Sequence, residues 1–589
     1  MVELVDKKVF LSTTALEEFW DKNAKNGVFL GEWCKLYDRK QEYEKLKFDT
    51  LEYLWIKKDN IDEGIKYCEE IYPKVLNKLV FILNKQHNLD KDYLYWDILL
   101  KPWLTIYIQI IYDKYRHIKL AYEKYNSIYT YVLSEKSYQC IYIPVQFLSQ
   151  VMNKDAYNLQ LYSQIIRFLN IECTEIDFNI KTDEIYLKTK VSNKEIVLRT
   201  ISRIFNKIFN KYTILIANPS FKQESIKKIF HLWLKSGFLF SFNNFKYDID
   251  VKYDRNLQLR HKLFTIDDQD KSFENLVFNT FVYNFPILYL EGYSNFNEKV
   301  HNLNIPIPDM IYTSQLIHSN EIFKFYVADN YSKFIKCYGQ HGGGYGVDVI
   351  NIPEEIEKNY ADIYFSYGWK EESKVRPLSM APFSNDKITD NGEINLILNS
   401  MSRYFYKFTY QPESTKGGIS LKNIQLFLNN LRNVYKVSVR LYLYDFQLNT
   451  KKILLNDNKL LSLDNETSYS QKLISSRLNI FSHFSTGHLE SLSINKPTII
   501  VIPADVYHFR DNAKPYIQKL KDANILFDNP IEASEFVDNV YGHIDTWWLS
   551  DKVQKVREEF CYLYSRTSEN WADEWIKEFT SILENDARK

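Results

Sequence analysis

The stretch "FSTGHLESLSINKPTIIVI" (484–502) sets the fold. An apolar strand ends at Ser485-Thr486, Gly487 turns the chain, a helix begins, and "NKPTIIV" leads into an apolar run that reads as a buried strand. Strand, turn, helix and strand in that order build a doubly wound sheet. The turn also suggests chemistry. Hydroxyls and unpaired N–H groups at a helix N-terminus, reinforced by the helix dipole, suit a phosphate or diphosphate, which points to Ser485 and Thr486. Glu490, one turn further, is placed to accept hydrogen bonds from ribose hydroxyls. The alternative is that Ser485 or Thr486 merely caps the helix.

Outward from this unit the pattern continues. "EINLILNS" (393–400), "VSVRLYLYD" (437–445) and "NIFSHFS" (479–485) read as strands, with "GISLKNIQLFLNNLRNV" (418–434) as a helix. Upstream, "YTILIANP" (212–219), "PILYLEGY" (286–293), "PDMIYTS" (308–314), "FKFYVADN" (323–330) and "FIKCYGQHGG" (334–343) read as short strands, each ending in a polar or glycine turn. "KKVFLSTT" and "GVFLGEWC" read as two opening strands around the helix former "ALEEFWDKNAKN". Helical periodicity covers about 60–135, where Pro102 marks a start or a kink, and recurs at 156–172, 193–211 and in the tail. Residues 240–275 are polar and uneven, as in an insertion. The fold class is therefore α/β: two Rossmann-like lobes, residues 1–380 with a helical elaboration and residues 381–545, then helices over 546–589. Ligands of such sheets sit beyond the carboxyl ends of the strands.

"CYGQHGGGYGVDVI" (337–350) lies at one such end. The chain has only 16 glycines in 589 residues, yet three stand together after His341. Glycine suits places where the backbone needs positive φ or a close approach. The N–H groups of Gly342, Gly343 and Gly344 form a candidate anion-binding nest, with His341 donating to a phosphate oxygen as a leaving group gains charge. The alternative is a tight turn with a core histidine. Glu32 follows a strand at a glycine turn and is the candidate general base, with Asp113 and Asp362 in reserve; the alternative is a solvated or salt-bridged glutamate. Trp33 is the candidate acceptor-stacking ring.

Lysine plus arginine balances aspartate plus glutamate at 75 each, which leaves no electrostatic footprint for nucleic acid. The six cysteines, at 34, 68, 140, 173, 337 and 561, form no CxxC pair, which points to a reducing compartment and no structural zinc. The N-terminus lacks a signal-peptide pattern and no run of 18 apolar residues occurs, so a cytoplasmic protein is expected. No DxD-type metal motif stands at a strand end, so neither metal nor cofactor is expected.

"LESLSINKPTII" resembles the nucleotide-binding stretch of GT-B glycosyltransferases. Together with "FLGEWC" (29–34), "YWDILLKPWL" (95–104), "QHGGGYG" (340–346), "ADIYFSYGW" (361–369) and "TWW" (546–548), it resembles a transferase family associated with O-antigen, lipopolysaccharide and other surface-polysaccharide loci in bacteria. Lys101 stands where that family's pattern has glycine. The resemblance implies a nucleotide-sugar donor on the C-terminal lobe, touching Ser485, Thr486 and Glu490. It also implies an acceptor (glycan, lipid-linked or protein) on the N-terminal lobe, and tail helices that pack back on that lobe. "QHGG" with "FST" is similar to the histidine loop and hydroxyl dipeptide of transferases using CMP-activated sialic-type or Kdo-type sugars. A lipid-linked acceptor implies peripheral contact with the inner face of the membrane. The competing readings are a polyol-phosphate transferase or nucleotide-sugar epimerase on the same fold, and a non-catalytic glycan-binding protein.

Overall fold

The computed structural model describes residues 8–180, 213–219, 239–247, 253–265, 269–381, 383, 387–399, 401–433, 435–441, 448–456, 461–464, 466–504 and 506–585. The helix expected over 193–211 and part of the expected insertion at 240–275 lie outside them.

The α/β class holds, and every strand ladder among the described residues is parallel. The C-terminal lobe is a six-stranded sheet of β12 (Ile394–Ile397), β13 (Val437–Arg440), β14 (Leu461–Leu463), β15 (Leu478–Phe481), β16 (Thr498–Val501) and β17 (Leu526–Phe527). Its order, β14-β13-β12-β15-β16-β17, reverses between β12 and β15 as in a Rossmann sheet. "INLI" and "TIIV" are buried throughout, as parallel strands covered on both faces must be.

Residues 1–380, expected as one lobe, hold two sheets. The one that faces the C-terminal lobe comprises β6 (Thr213–Ala217), β7 (Leu239–Phe242), β8 (Met310–Thr313), β9 (Ile335–Gly339), β10 (Ile363–Ser366) and β11 (Val375–Pro377), ordered β11-β10-β9-β8-β6-β7. The other is five-stranded: β1 (Val9–Ser12), β2 (Gly27–Phe29), β3 (Asp49–Thr50), β4 (Ile128–Leu133) and β5 (Glu172–Ile176), ordered β3-β2-β1-β4-β5. The helical elaboration is a hairpin of Lys58–His87 and Tyr93–Tyr125, and Pro102 lies inside the second helix rather than at its start. The tail helix Trp571–Glu584 sets Trp575 against Tyr312 and Phe365 of the middle sheet, with ring centroids 5.0 and 5.2 Å apart.

Three expected elements differ. Residues 321–329 form a helix, not a strand, capped by Asn320, whose side chain accepts the Phe323 N–H at 2.9 Å. Ile287–Tyr289 is a 3-10 turn. The Gly292 N–H closes onto the Ile287 carbonyl at 2.9 Å and ends the extended run. Between β1 and β2 only Glu17–Phe19 is helical, again as a 3-10 turn.

Candidate active site

The helix Thr486–Ser493 starts beyond β15, at the strand reversal of the C-terminal sheet. A polar thread fixes it there. Asn395 of β12 donates to Asn479 of β15 at 2.8 Å, Asn479 donates to Ser491 Oγ at 3.1 Å, and Ser491 lies 2.7 Å from Thr498 Oγ1 of β16. These groups are buried, where a polar atom without a partner costs about 1–3 kcal/mol, so the thread locates the helix as well as binding it. At the helix start His488 Nδ1 accepts the Ser485 N–H at 3.1 Å. Burial, then the neighbouring His483, drive His488 well below the ordinary imidazole range, so it stands neutral.

The glycine loop leaves β9 on the opposing edge. Gln340 braces it: its amide nitrogen donates to the Gly342 carbonyl at 2.9 Å, while its oxygen accepts the Trp369 indole N–H at 2.9 Å. Gly343 then donates its N–H to Thr486 Oγ1 at 2.9 Å, joining the two lobes. A Cβ on Gly343 would lie 2.2 Å from the Ser485 carbonyl carbon and 2.4 Å from the Thr486 nitrogen, so only glycine permits this approach. Gly344 is glycine for another reason, its φ of +83°. The Gly343 amide, expected to be open to an anion, is thus engaged by Thr486.

A cavity of about 130 Å³ lies between these elements, lined by Gln340, His341, Tyr367, Thr486 and Glu490, with Trp575 of the tail helix among its apolar walls. His341 therefore shares one space with Thr486 and Glu490, which lie more than a hundred residues further along the sequence. Gly342 and Gly343 are packed beside it, whereas Gly344 turns toward Asp348. Ser485 supplies the backbone against which Gly343 packs. Glu490 also accepts from the buried Tyr469 hydroxyl.

The other expected residues lie elsewhere. Glu32 does not line the cavity; its half-exposed side chain pairs with Lys35 at 3.1 Å. Trp33 is buried, donates to the Thr13 carbonyl at 3.0 Å and packs edge-on to His117, so its ring is core and not free to stack on an acceptor. Asp113 is also buried and accepts the Trp55 indole N–H at 2.6 Å. Asp362 accepts the Lys336 backbone N–H at 2.8 Å at the amino end of the strands, away from the ligand edge.

The structure adds groups that the sequence did not single out. His341 Nδ1 lies 3.0 Å from Oε1 of Glu357, a fully buried carboxylate on the helix Ile352–Tyr360. His318, a few residues beyond β8 on the same sheet edge, places Nε2 2.8 Å from that same oxygen. Tyr345 donates to it at 3.1 Å and Tyr364 donates to Oε2 at 3.2 Å. Burial alone raises the Glu357 pKa, but the hydrogen bonds from His318 and His341 outweigh it and hold the group ionised. Burial alone lowers the His341 pKa, but the bond to Glu357 and its charge prevail and raise it. The position of His318 just past a strand end was the one available signal; Glu357 carried none.

Beyond the loop the lobes are clasped again. Arg510 pairs with Glu354 at 2.9 Å and donates to the Asp348 carbonyl, while Gln411 donates to the Asp348 carboxylate at 2.6 Å. Burial raises Asp348 from its ordinary 3.8 to about 7, against the lowering effects of Gln411, Arg510 and Lys407. The folded chain therefore binds this proton more tightly than the unfolded chain. That stability is present below the unfolded value and is lost as pH rises through about 7. Asp348→Asn is expected to flatten the fall in melting temperature between those two values, as thermal melts across pH would register.

Among the described residues no group of three or more His, Cys, Asp or Glu is arranged to hold a metal ion. No helix among them is long and apolar enough to cross a membrane.

Residues 9–579 match the family described as LIC12162 family transferase. The chain belongs to that family. The match runs from β1 into the tail helix, so the family's domain takes in all three sheets and both sides of the cavity. Three solved structures resemble this family member at low identity. They are the UDP-GlcNAc 2-epimerase from Neisseria meningitidis bound to UDP-GlcNAc (12% identity, TM-score 0.35, 63% of this chain and 100% of that one), a glycosyltransferase from Rickettsia africae (12%, 0.33, 64% and 100%) and MurG from Acinetobacter baumannii (9%, 0.32, 63% and 99%). No curated relative matches the chain.

Proposed function

We propose that this transferase is a glycosyltransferase that holds a nucleotide sugar between the glycine loop and the helix Thr486–Ser493 and passes the sugar to a glycan, lipid-linked or protein acceptor of the cell surface. The observation that carries the reading is the shared cavity. His341 from one parallel sheet and Thr486 and Glu490 from another line it together, at the carboxyl ends of strands, where such sheets hold ligands. In this reading the donor phosphate sits between the His341 ring and the helix N-terminus, and Glu490 accepts from the ribose hydroxyls. As the acceptor oxygen bonds to the anomeric carbon and its proton passes to solvent, the bond from that carbon to the phosphate oxygen breaks and its electron pair passes to the phosphate. The imidazole N–H and the Thr486 hydroxyl donate to the charge that develops there.

Among the described residues, those lining the cavity include no lysine or arginine. In this reading the donor is a CMP-activated sialic-type or Kdo-type sugar, whose single phosphodiester charge is met by imidazole, hydroxyl and helix dipole, with no metal taking part. All six cysteines are free, in keeping with a reducing cytoplasm, at the membrane's inner face when the acceptor is lipid-linked.

Thermal melts with CMP, CDP, UDP, GDP and dTDP test the reading. CMP at about 100 times its dissociation constant is expected to stabilise the chain by about 2.7 kcal/mol. Glu490→Gln keeps an acceptor for Tyr469 but loses the charge-assisted bonds to ribose, so CMP affinity is expected to fall about tenfold with little change in the unliganded melt. If no nucleotide moves the melt, the reading fails. If the sugar of a nucleotide sugar is altered without any acceptor, the protein is an epimerase instead.

A further inference from the structure

Glu357 is the buried group that the donor reading leaves without a task. It lies on the helix that follows the glycine loop and points its carboxylate back beneath that loop, with both oxygens occupied by side-chain donors. His341 and His318 approach the same oxygen, at 3.0 and 2.8 Å, with ring centroids 6.0 Å apart. Each ring keeps about a fifth of its side chain exposed, whereas Glu357 has no exposure. We propose that Glu357 is a positioning residue for the cavity imidazole, and that His318 competes with His341 for its Oε1 and so sets the share of that carboxylate which His341 receives.

The carboxylate fixes the His341 tautomer, because a proton on Nδ1 is needed to reach it. The Ser314 backbone also hydrogen-bonds the ring and favours its charged form, and the second proton, on the other nitrogen, is the one that responds to a bound anion. Among the described residues, the other charged groups near the ring are themselves paired or engaged. Glu354, on the same helix as Glu357, is paired with Arg510 at 2.9 Å and Lys358 at 3.3 Å. Burial keeps Tyr312 of β8, Tyr345 of the loop, and Tyr364 and Tyr367 at β10 protonated and uncharged. Glu490 stands across the cavity, engaged by Tyr469. Glu357 is thus the carboxylate in direct contact with both imidazoles. When His318 holds Oε1 strongly, His341 holds its second proton less strongly, and the reverse.

The role assigned to Glu357 rests on the donor reading only for its purpose, so it is tested without a substrate. The full-length chain, labelled at histidine Cε1, is titrated by NMR, with the His341 signal assigned from its loss in His341→Gln. In the wild type His341 is expected to titrate above an ordinary histidine. Glu357→Gln should lower the ratio of its protonated to its neutral form about tenfold, one pKa unit. His318→Ala should move it the other way, because His341 then has Oε1 without that competitor. A structural role for either residue predicts no such opposed pair of shifts. A wild-type His341 that titrates at or below the ordinary value overturns the proposal. So does a folded Glu357→Gln chain with an unmoved His341 signal, or a His318→Ala chain in which that signal fails to rise. Should Glu357→Gln not fold, the His318→Ala arm decides. CMP, added as the probe at pH values either side of the His341 transition, is expected to bind more tightly on the acid side. Opposed shifts with no CMP binding at either pH would uphold Glu357 as the positioning residue and sink the donor reading.

Discussion

Gly343→Ala is expected to separate the two lobes at the cavity and abolish nucleotide binding, while Gly342→Ala, one residue away, is nearly silent. The contrast follows from what each new methyl group meets. At Gly343 it would stand 2.2 Å from the Ser485 carbonyl carbon and 2.4 Å from the Thr486 nitrogen, both backbone atoms that cannot swing aside. At Gly342 the nearest atom is Thr486 Oγ1 at 3.4 Å, an ordinary contact. Relieving the first clash means moving the loop or the helix start by about 1 Å, a displacement that can cost about 100-fold in an active site. Overpacking of this kind costs about 1–3 kcal/mol of stability. The Gly343 N–H bond to Thr486 is lost in the same movement. Melts of both variants with and without CMP check the pair of outcomes. Equal behaviour of the two alanines would mean that the lobes do not meet at this point in solution.

The close approach explains which parts of the site were legible in the sequence. A run of glycines announces that something comes near, and a hydroxyl pair before a helix announces a helix N-terminus, so His341, Thr486 and Glu490 could be nominated from local pattern alone. That the thing approaching Gly343 is the Ser485-Thr486 backbone itself, rather than a ligand, depends on a tertiary contact across more than a hundred residues. Glu357 was invisible for the same reason. In "IPEEIEKNY" it is one of four acidic residues or lysines on an amphipathic helix, and only the fold buries it beneath two imidazoles.

Fold was legible where apolar runs were bounded by turns, as in "INLI" and "TIIV", and failed where burial was complete on every side. Residues 321–327 are all buried, so the helix there has no polar face and no helical period. Its aromatic and β-branched residues read as a strand. The Asn320 cap was the mark that distinguished it. The five-stranded sheet was partly legible, because "VFLS" and "GVF" are short apolar runs, but strand runs so brief do not reveal which neighbours they pair with. Its separation from the middle sheet became visible only through strand order.

Arg403 is a buried tie between the five-stranded sheet and the C-terminal lobe, and Arg403→Ala is expected to have the largest effect on stability. Arg403 follows β12 and reaches the carboxyl edge of the five-stranded sheet, where Nη1 donates to the Trp33 carbonyl at 2.8 Å and Nη2 to the Asn153 carbonyl at 3.0 Å. Its ion pair with Asp155 is nearly inaccessible to solvent, and Asp155 also receives the Tyr404 hydroxyl and the Ala15 N–H. A planar fork with several donors meets a carboxylate and two carbonyls at once, which an ammonium cannot do. Removing one partner of a buried pair leaves the other desolvated and uncompensated, at about 3–5 kcal/mol. Arg403→Ala should therefore melt well below the wild type, and Arg403→Lys should recover only part of the difference. Arg403→Ala with Asp155→Ala should be less damaging than the sum of the two single changes, since the double variant strands no charge. Because Arg403 does not line the cavity, CMP is expected to stabilise the Arg403→Ala chain by as much as it does the wild type. Loss of the CMP effect together with stability would mean that the five-stranded sheet holds the cavity in shape as well as the fold.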